Sequence, residues 1–135
     1  MMPMTRSQRE TVAIITENLL DQMRSEWASY KYSYGTAVIL SHAGLTVLQL
    51  HDNDLGPSFA MVDLLCSSYN AWAAIVVFQT RSVYPLDQST VAVVERAVGH
   101  TRARILSLET GDEQDYLPPS SLFVTFQTRE LQMVN

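Results

Sequence analysis

Residues 71–78, Ala-Trp-Ala-Ala-Ile-Val-Val-Phe, are apolar at every position. Successive side chains of an extended segment point to opposite faces, so a run without polar alternation needs cover on both. That predicts a central strand in a sheet held between two layers. The run is far too short to cross a bilayer, which takes about 20 residues of helix. A chain of 135 residues, 47% of them apolar, has enough material to build such a core once. One domain over residues 1–135 is expected.

The rest of the chain supplies the layers. Ser7-Gln8-Arg9-Glu10 has capping-box spacing, and Val12, Ile15, Leu19, Met23 and Trp27 then recur at intervals of three and four, which predicts a long amphipathic helix. Residues 34–41 and 45–51 are β-rich and flank His42-Ala43-Gly44, a hairpin turn in which Gly44 supplies a positive φ. Beyond Gly56-Pro57, residues 59–69 place Phe59, Val62, Leu65, Cys66 and Tyr69 on one helical face and Ala60, Asp63 and Ser67 on another. Residues 87–98 read as a further amphipathic helix striped by Val91, Val94 and Val98 and stopped at Gly99. Residues 102–108 and 121–128 alternate as strands, separated by the acidic, turn-like 109–115 and by Leu117-Pro118-Pro119. The expected order is helix, strand, strand, helix, strand, helix, strand, strand, an α/β sandwich.

Charge narrows the partners. Nine Lys and Arg stand against 14 Asp and Glu, for a net charge of −5, and the basic residues form no cluster. A nucleic-acid polymer is therefore not an expected partner, because backbone binding rests on concentrated positive charge. Cys66 is the single cysteine, so neither an internal disulfide nor a pair of thiolate ligands can form, and its apolar helical surroundings predict a buried, inert thiol. Residues 1–9 are polar and lead into an amphipathic run, unlike a signal peptide. A cytoplasmic protein with no membrane partner is expected.

Two helix starts carry a resemblance. Gly56-Pro57-Ser58-Phe59-Ala60 and Tyr84-Pro85-Leu86-Asp87-Gln88-Ser89 resemble the zinc-binding helix starts of the small cytidine and blasticidin deaminases, with every zinc ligand missing. Where that family reads Cys-x-Glu, this chain has Ser58 and Ala60; where it reads Pro-Cys-x-x-Cys, it has Pro85, Leu86 and Ser89. Tyr32-Ser33 resembles the family's Tyr-Ser pair, Gln49 falls where a family asparagine holds ribose, and His51 falls at the Glu or Tyr two residues later. Glu95 lies ten residues after Pro85, where many members carry Glu, and Tyr116-Leu117-Pro118 with Leu122-Phe123 resembles the family's Leu-Leu-Pro-x-x-Phe ending. The resemblance spans roughly residues 8–128. It implies a cytidine deaminase-like three-layer α/β/α sandwich, with a mixed five-stranded sheet and helices on both faces. It also implies a homo-oligomer, tetramer or dimer.

Without the ligands the family chemistry fails. Zinc deamination needs a metal-activated water and a glutamate that moves protons. A serine hydroxyl is a poor zinc ligand, Leu86 cannot ligate, and Ala60 cannot carry a proton. No metal and no cofactor are expected, and His42, His51 and His100 do not form a zinc site by spacing.

Two uses of the pocket stay open. In the family fold both motif helices aim their N-termini at one pocket, where unpaired amides favour an anion, and Ser58 and Ser89 would add hydroxyl donors. Gln49, Ser58, Asp87 and Ser89 are then ligand-binding candidates for a small nucleoside-like or anionic molecule, although Ser58 and Asp87 serve equally as helix caps. Alternatively the pocket runs metal-free chemistry, as an isomerase, cyclase or hydrolase in specialised biosynthesis, with His51 and Asp63 as acid and base. Asp52-Asn53-Asp54 is then an entrance or an ordinary polar turn, and Asp63 a working group or a solvated helix position. The non-catalytic branch also includes a structural or assembly subunit.

Overall fold

The computed structural model describes residues 3–31, 34–50, 55–79, 89–118 and 122–134. Its elements, in chain order, are α1 (Arg6–Tyr30), β1 (Thr36–Ser41), β2 (Gly44–Gln49), α2 (Leu55–Ser68), β3 (Ala73–Gln79), β4 (Thr90–Ala97), β5 (His100–Ser107), β6 (Glu113–Asp115) and α3 (Val124–Val134). The six strands form one sheet in the order β2-β1-β3-β4-β5-β6, and every neighbouring pair is antiparallel.

The all-apolar run becomes β3, third in the sheet and buried at all seven positions. Its side chains divide between two cores by alternation. Ala73, Ile75 and Val77 meet α1 through Val12, Leu20, Met23 and Trp27, while Ala74, Val76 and Phe78 meet Phe59, Val62 and Cys66 of α2 and Phe126 of α3. Helices thus lie on both faces, α1 on one and α2 with α3 on the other. Burying each large side chain of this kind contributes about 1.5–3 kcal/mol.

α1 begins two residues earlier than its sequence signature. Thr5, not Ser7, is the N-cap: its hydroxyl accepts from the Gln8 amide while the Gln8 side chain accepts from the Thr5 amide. Lys31, in the left-handed region at φ 53°, ends the helix by donating its amide to the Trp27 carbonyl. The expected β1–β2 hairpin forms, with Gly44 at φ +133° beside the turn.

Two segments depart from expectation. Residues 90–97, expected inside a helix, are strand β4, and Gly99 at φ +70° turns a tight hairpin into β5 instead of stopping a helix. Thr90, Val91, Val93 and Val94 are β-branched and buried on both faces of the sheet, so a valine spacing of three and four coincides with burial at nearly every position. β4 pairs directly and antiparallel with β3, and the sheet is six-stranded and antiparallel where a mixed five-stranded one was expected. The second departure is at the C-terminal end, where residues 124–134 form α3 although 121–128 alternate like a strand. Phe126 is fully buried against the sheet, and Asp63 supplies the cap that starts the helix, a contact 62 residues distant in sequence.

Candidate functional site

The helix start at Gly56-Pro57 places Ser58 and Ala60 in the first turns of α2, where they point apart. Ser58 is buried toward the sheet, and Ala60 is exposed on the opposite side of the helix. The position that would need to project a proton-carrying group into a pocket therefore faces solvent. Serine and alanine at these places do not fit a zinc ion, and among the described residues no three His, Cys, Asp or Glu side chains converge as a metal site.

Asp63 is a structural acceptor. Its Oδ1 takes a 2.7 Å hydrogen bond from the Thr125 amide, and its backbone carbonyl accepts from Thr125 Oγ1 at 3.3 Å. The carboxylate thus caps α3 from a neighbouring helix, satisfying an amide at a helix start that has no intrahelical partner. One turn later Cys66 is buried, and burial pushes its thiol up to about 12, with Asp63 adding to the rise and Arg129 opposing it. It is a core thiol, as expected.

Gln49 ends β2 and is exposed. It pairs with Thr36 and shares the α1 face of the sheet, so the sheet itself separates it from Ser58. Ser89 immediately precedes β4, three strands from Gln49 and so at least about 14 Å away across the sheet. These three ligand-binding candidates do not share one pocket. His51, Asp52, Asp54, Asp87 and the whole stretch 84–88 lie outside the described residues. His42 sits in the β1–β2 turn and is exposed.

Ser89 does border a cleft of about 350 Å³ at the β4–β5–β6 end of the sheet. Ser89 Oγ and Ser107 Oγ are 3.3 Å apart there, and the walls include Glu109, Asp112 and Glu113. Two of these carboxylates have cationic or N–H partners: Glu109 accepts from Trp27 Nε1 at 3.2 Å and lies 4.0 Å from Lys31 Nζ, while Glu113 accepts from Arg104 Nη1 at 2.6 Å. The Arg104 hydrogen bond holds the Glu113 carboxyl below its ordinary value. Walls of this composition favour a cationic or hydroxyl-rich guest over an anion.

Two polar clusters lie within the fold and were not singled out as a site. Glu95, buried on β4, accepts a 2.7 Å hydrogen bond from Thr16 Oγ1 on α1 and lies 3.7 Å from His100 Nε2, which is itself buried. On the other face, Arg96 donates from Nη1 to Glu130 Oε2 at 2.6 Å, and the same oxygen accepts from the Gly99 amide at 2.6 Å, tying α3 to the β4–β5 turn. A charged Glu-Arg pair inside an otherwise apolar run was the available signal for both. Both clusters tie elements together, Thr16 to Glu95 and Arg96 to Glu130, while the buried His100 Nε2 has no hydrogen-bond partner among the described residues.

The remaining distinctive feature is an edge. Strand β2 ends the sheet on one side, and its burial alternates between exposed and half-buried. Leu45 is 52% and Val47 60% exposed on the α1 face. No family model matches the chain, and no curated protein or solved structure matches it either.

Proposed function

We propose that this protein is a non-catalytic α/β/α module that acts by assembly, as a structural subunit, and does not deaminate nucleosides. The observation that carries the reading is the pairing of an open apolar edge with dispersed polar candidates. Ser58 and Gln49 fall on opposite faces, Asp63 is committed to capping α3, and β2 presents Leu45 and Val47 to solvent. Exposed apolar side chains on an unpaired edge strand are the chemistry of association.

The resemblance to cytidine deaminases supports this reading in part. The helix, strand, strand, helix, strand order through residue 79 is the order the resemblance implies, with a zinc-free first motif at residues 56–60. Strand β4 in place of a second motif helix argues for a chain that keeps the layered sandwich without the family's two-helix pocket. A zinc-free, deamination-incompetent protein that serves in assembly satisfies both observations.

The Ser89–Ser107 cleft favours a second reading, a small-ligand binder or a metal-free enzyme. The test separates the two. Purified protein is incubated with cytidine and related aminopyrimidine nucleosides, with and without zinc, while ammonia is followed and light scattering reports mass. Assembly predicts no ammonia and a mass above one chain. Ammonia release, or a single-chain mass with thermal stabilisation by a nucleoside, would replace it with the second reading.

A further inference from the structure

We propose that the partner of β2 is β2 of a second copy: two chains pair antiparallel about a two-fold axis at Thr46, joining two six-stranded sheets into one. This rests on the assembly reading and adds the partner and the register.

The two edges of the sheet are unlike. Edge strand β6 is three residues long, Glu113-Gln114-Asp115. The Tyr116 amide donates to the Ala103 carbonyl, so by antiparallel alternation the outward backbone groups of β6 belong to Glu113 and Asp115, whose carboxylates discourage pairing. Edge strand β2 has six residues, Gly-Leu-Thr-Val-Leu-Gln, with no charge, no proline and an unbroken register against β1. The Leu50 amide donates to the Gly35 carbonyl, which fixes the same alternation here: Gly44, Thr46 and Leu48 bond inward to β1, and Leu45, Val47 and Gln49 direct their backbone groups outward.

Those outward residues are complementary to themselves. With Thr46 opposite Thr46 of the second copy, Leu45 falls opposite its Val47 and Val47 opposite its Leu45. Each such pair exchanges two backbone hydrogen bonds and places two exposed apolar side chains on one face. A shift of one residue would set Leu45 against a side chain on the opposite face. An isologous contact therefore satisfies the edge with no other protein.

The helices agree with this. α1 lies over β3 and β4, and it leaves Leu45 and Val47 more than half exposed on its own face of the sheet. On the other face α2 lies over β1, with Asp63 turned toward α3. At 100° per residue, Met61 and Leu65 then lie on the side of α2 that faces the β2 edge. Met61 is 46% exposed, and Leu65 and Leu48 are half-buried. Pairing at β2 brings the two α2 helices within about 15 Å, close enough for Met61 and Leu65 to meet across the axis. No residue of β2 carries a charge, so the strand pairing itself sets no like charges opposite one another.

The test is a cross-link at the axis. Residues facing one another in a non-hydrogen-bonded pair have Cα atoms about 4.5 Å apart, within disulfide reach, and Cys66 is buried and does not compete. Thr46→Cys, oxidised mildly at micromolar concentration, is expected to run on a non-reducing gel at twice the 15.2 kDa of one chain, while Asp115→Cys at the other edge stays single. Val47→Lys is expected to convert the light-scattering mass from two chains to one with an unchanged circular dichroism spectrum. If the unmodified protein is multimeric but Thr46→Cys cross-links no faster than Asp115→Cys, the β2 pairing is wrong and assembly stands. If the unmodified protein has a single-chain mass at every concentration, both fail.

Discussion

Thr16 on α1 and Glu95 on β4, 79 residues apart in sequence, meet in a 2.7 Å hydrogen bond buried between the helix and the sheet. The Thr16 hydroxyl also lies 2.8 Å from the Val12 carbonyl, so its single proton serves both acceptors. The carboxylate stands in an apolar layer formed by Ile75, Val93 and Ala97, where an acceptor without a donor is costly. Thr16→Val keeps the shape and removes the donor. A loss of about 1.5–3 kcal/mol is expected, the range for a hydrogen bond to a charged group, and urea unfolding with an unchanged slope measures it. Adding Glu95→Gln in that background should recover part of the loss.

Asp63 makes the second prediction, because its role is where the two functional readings differ. As the cap of α3 it contributes about 1–2 kcal/mol, so Asp63→Ala should destabilise the fold by that amount and speed amide exchange across residues 124–134. Asp63→Asn retains an acceptor and should lose less. A variant of wild-type stability that abolishes a catalytic activity would instead restore the acid–base role.

Acid should act through Glu130. The Arg96 hydrogen bond, aided by the Gly99 amide, holds its carboxyl below the ordinary 4.5. A carboxyl depressed on folding stabilises the native state fully above its unfolded value, and that contribution is lost as pH falls through the folded value. Glu130→Gln should therefore cost about 1 kcal/mol at pH 7 and flatten the stability profile below pH 4.5, read from denaturation midpoints across the acid range.

Cys66 should be silent. With its thiol pushed up to about 12 and its side chain buried, essentially no thiolate exists at pH 8, so a thiol-specific disulfide reagent should label it only after denaturant is added. Stoichiometric labelling of the native protein would show that α2 opens readily from the sheet.

Much of the fold was legible because burial patterns were one-sided or absolute. Val12, Met23 and Trp27 mark α1 by helical spacing, Phe59, Val62 and Cys66 mark α2, and the unbroken apolar run at 71–78, most of which forms β3, marked the central strand. Residues 90–97 were not legible, because a strand buried on both faces carries no period of two, and its valines then match a helical stripe by coincidence. Residues 124–134 failed for the opposite reason: Phe126 and Arg129 pack as a helix against β4 and the end of α2, partners that no local window contains. The candidate site was legible only as residue types. Ser58, Gln49 and Ser89 lie where the sequence put them along the chain, but which face of the sheet each occupies depends on strand register. The edge formed by Leu45 and Val47 was hidden in the same way, since exposure at an edge is set by what fails to pair with it.

Backbone amide exchange of β2, followed residue by residue by NMR as protein concentration is raised, tests the assembly through this edge most directly. The amides of Leu45, Val47 and Gln49 point away from β1 and have no partner among the described residues, so exchange there reports pairing with a second chain. Protection that grows with concentration at these three residues, and not at Glu113 and Asp115 of β6, is the predicted result. Fast exchange at Leu45, Val47 and Gln49 at every concentration would contradict it.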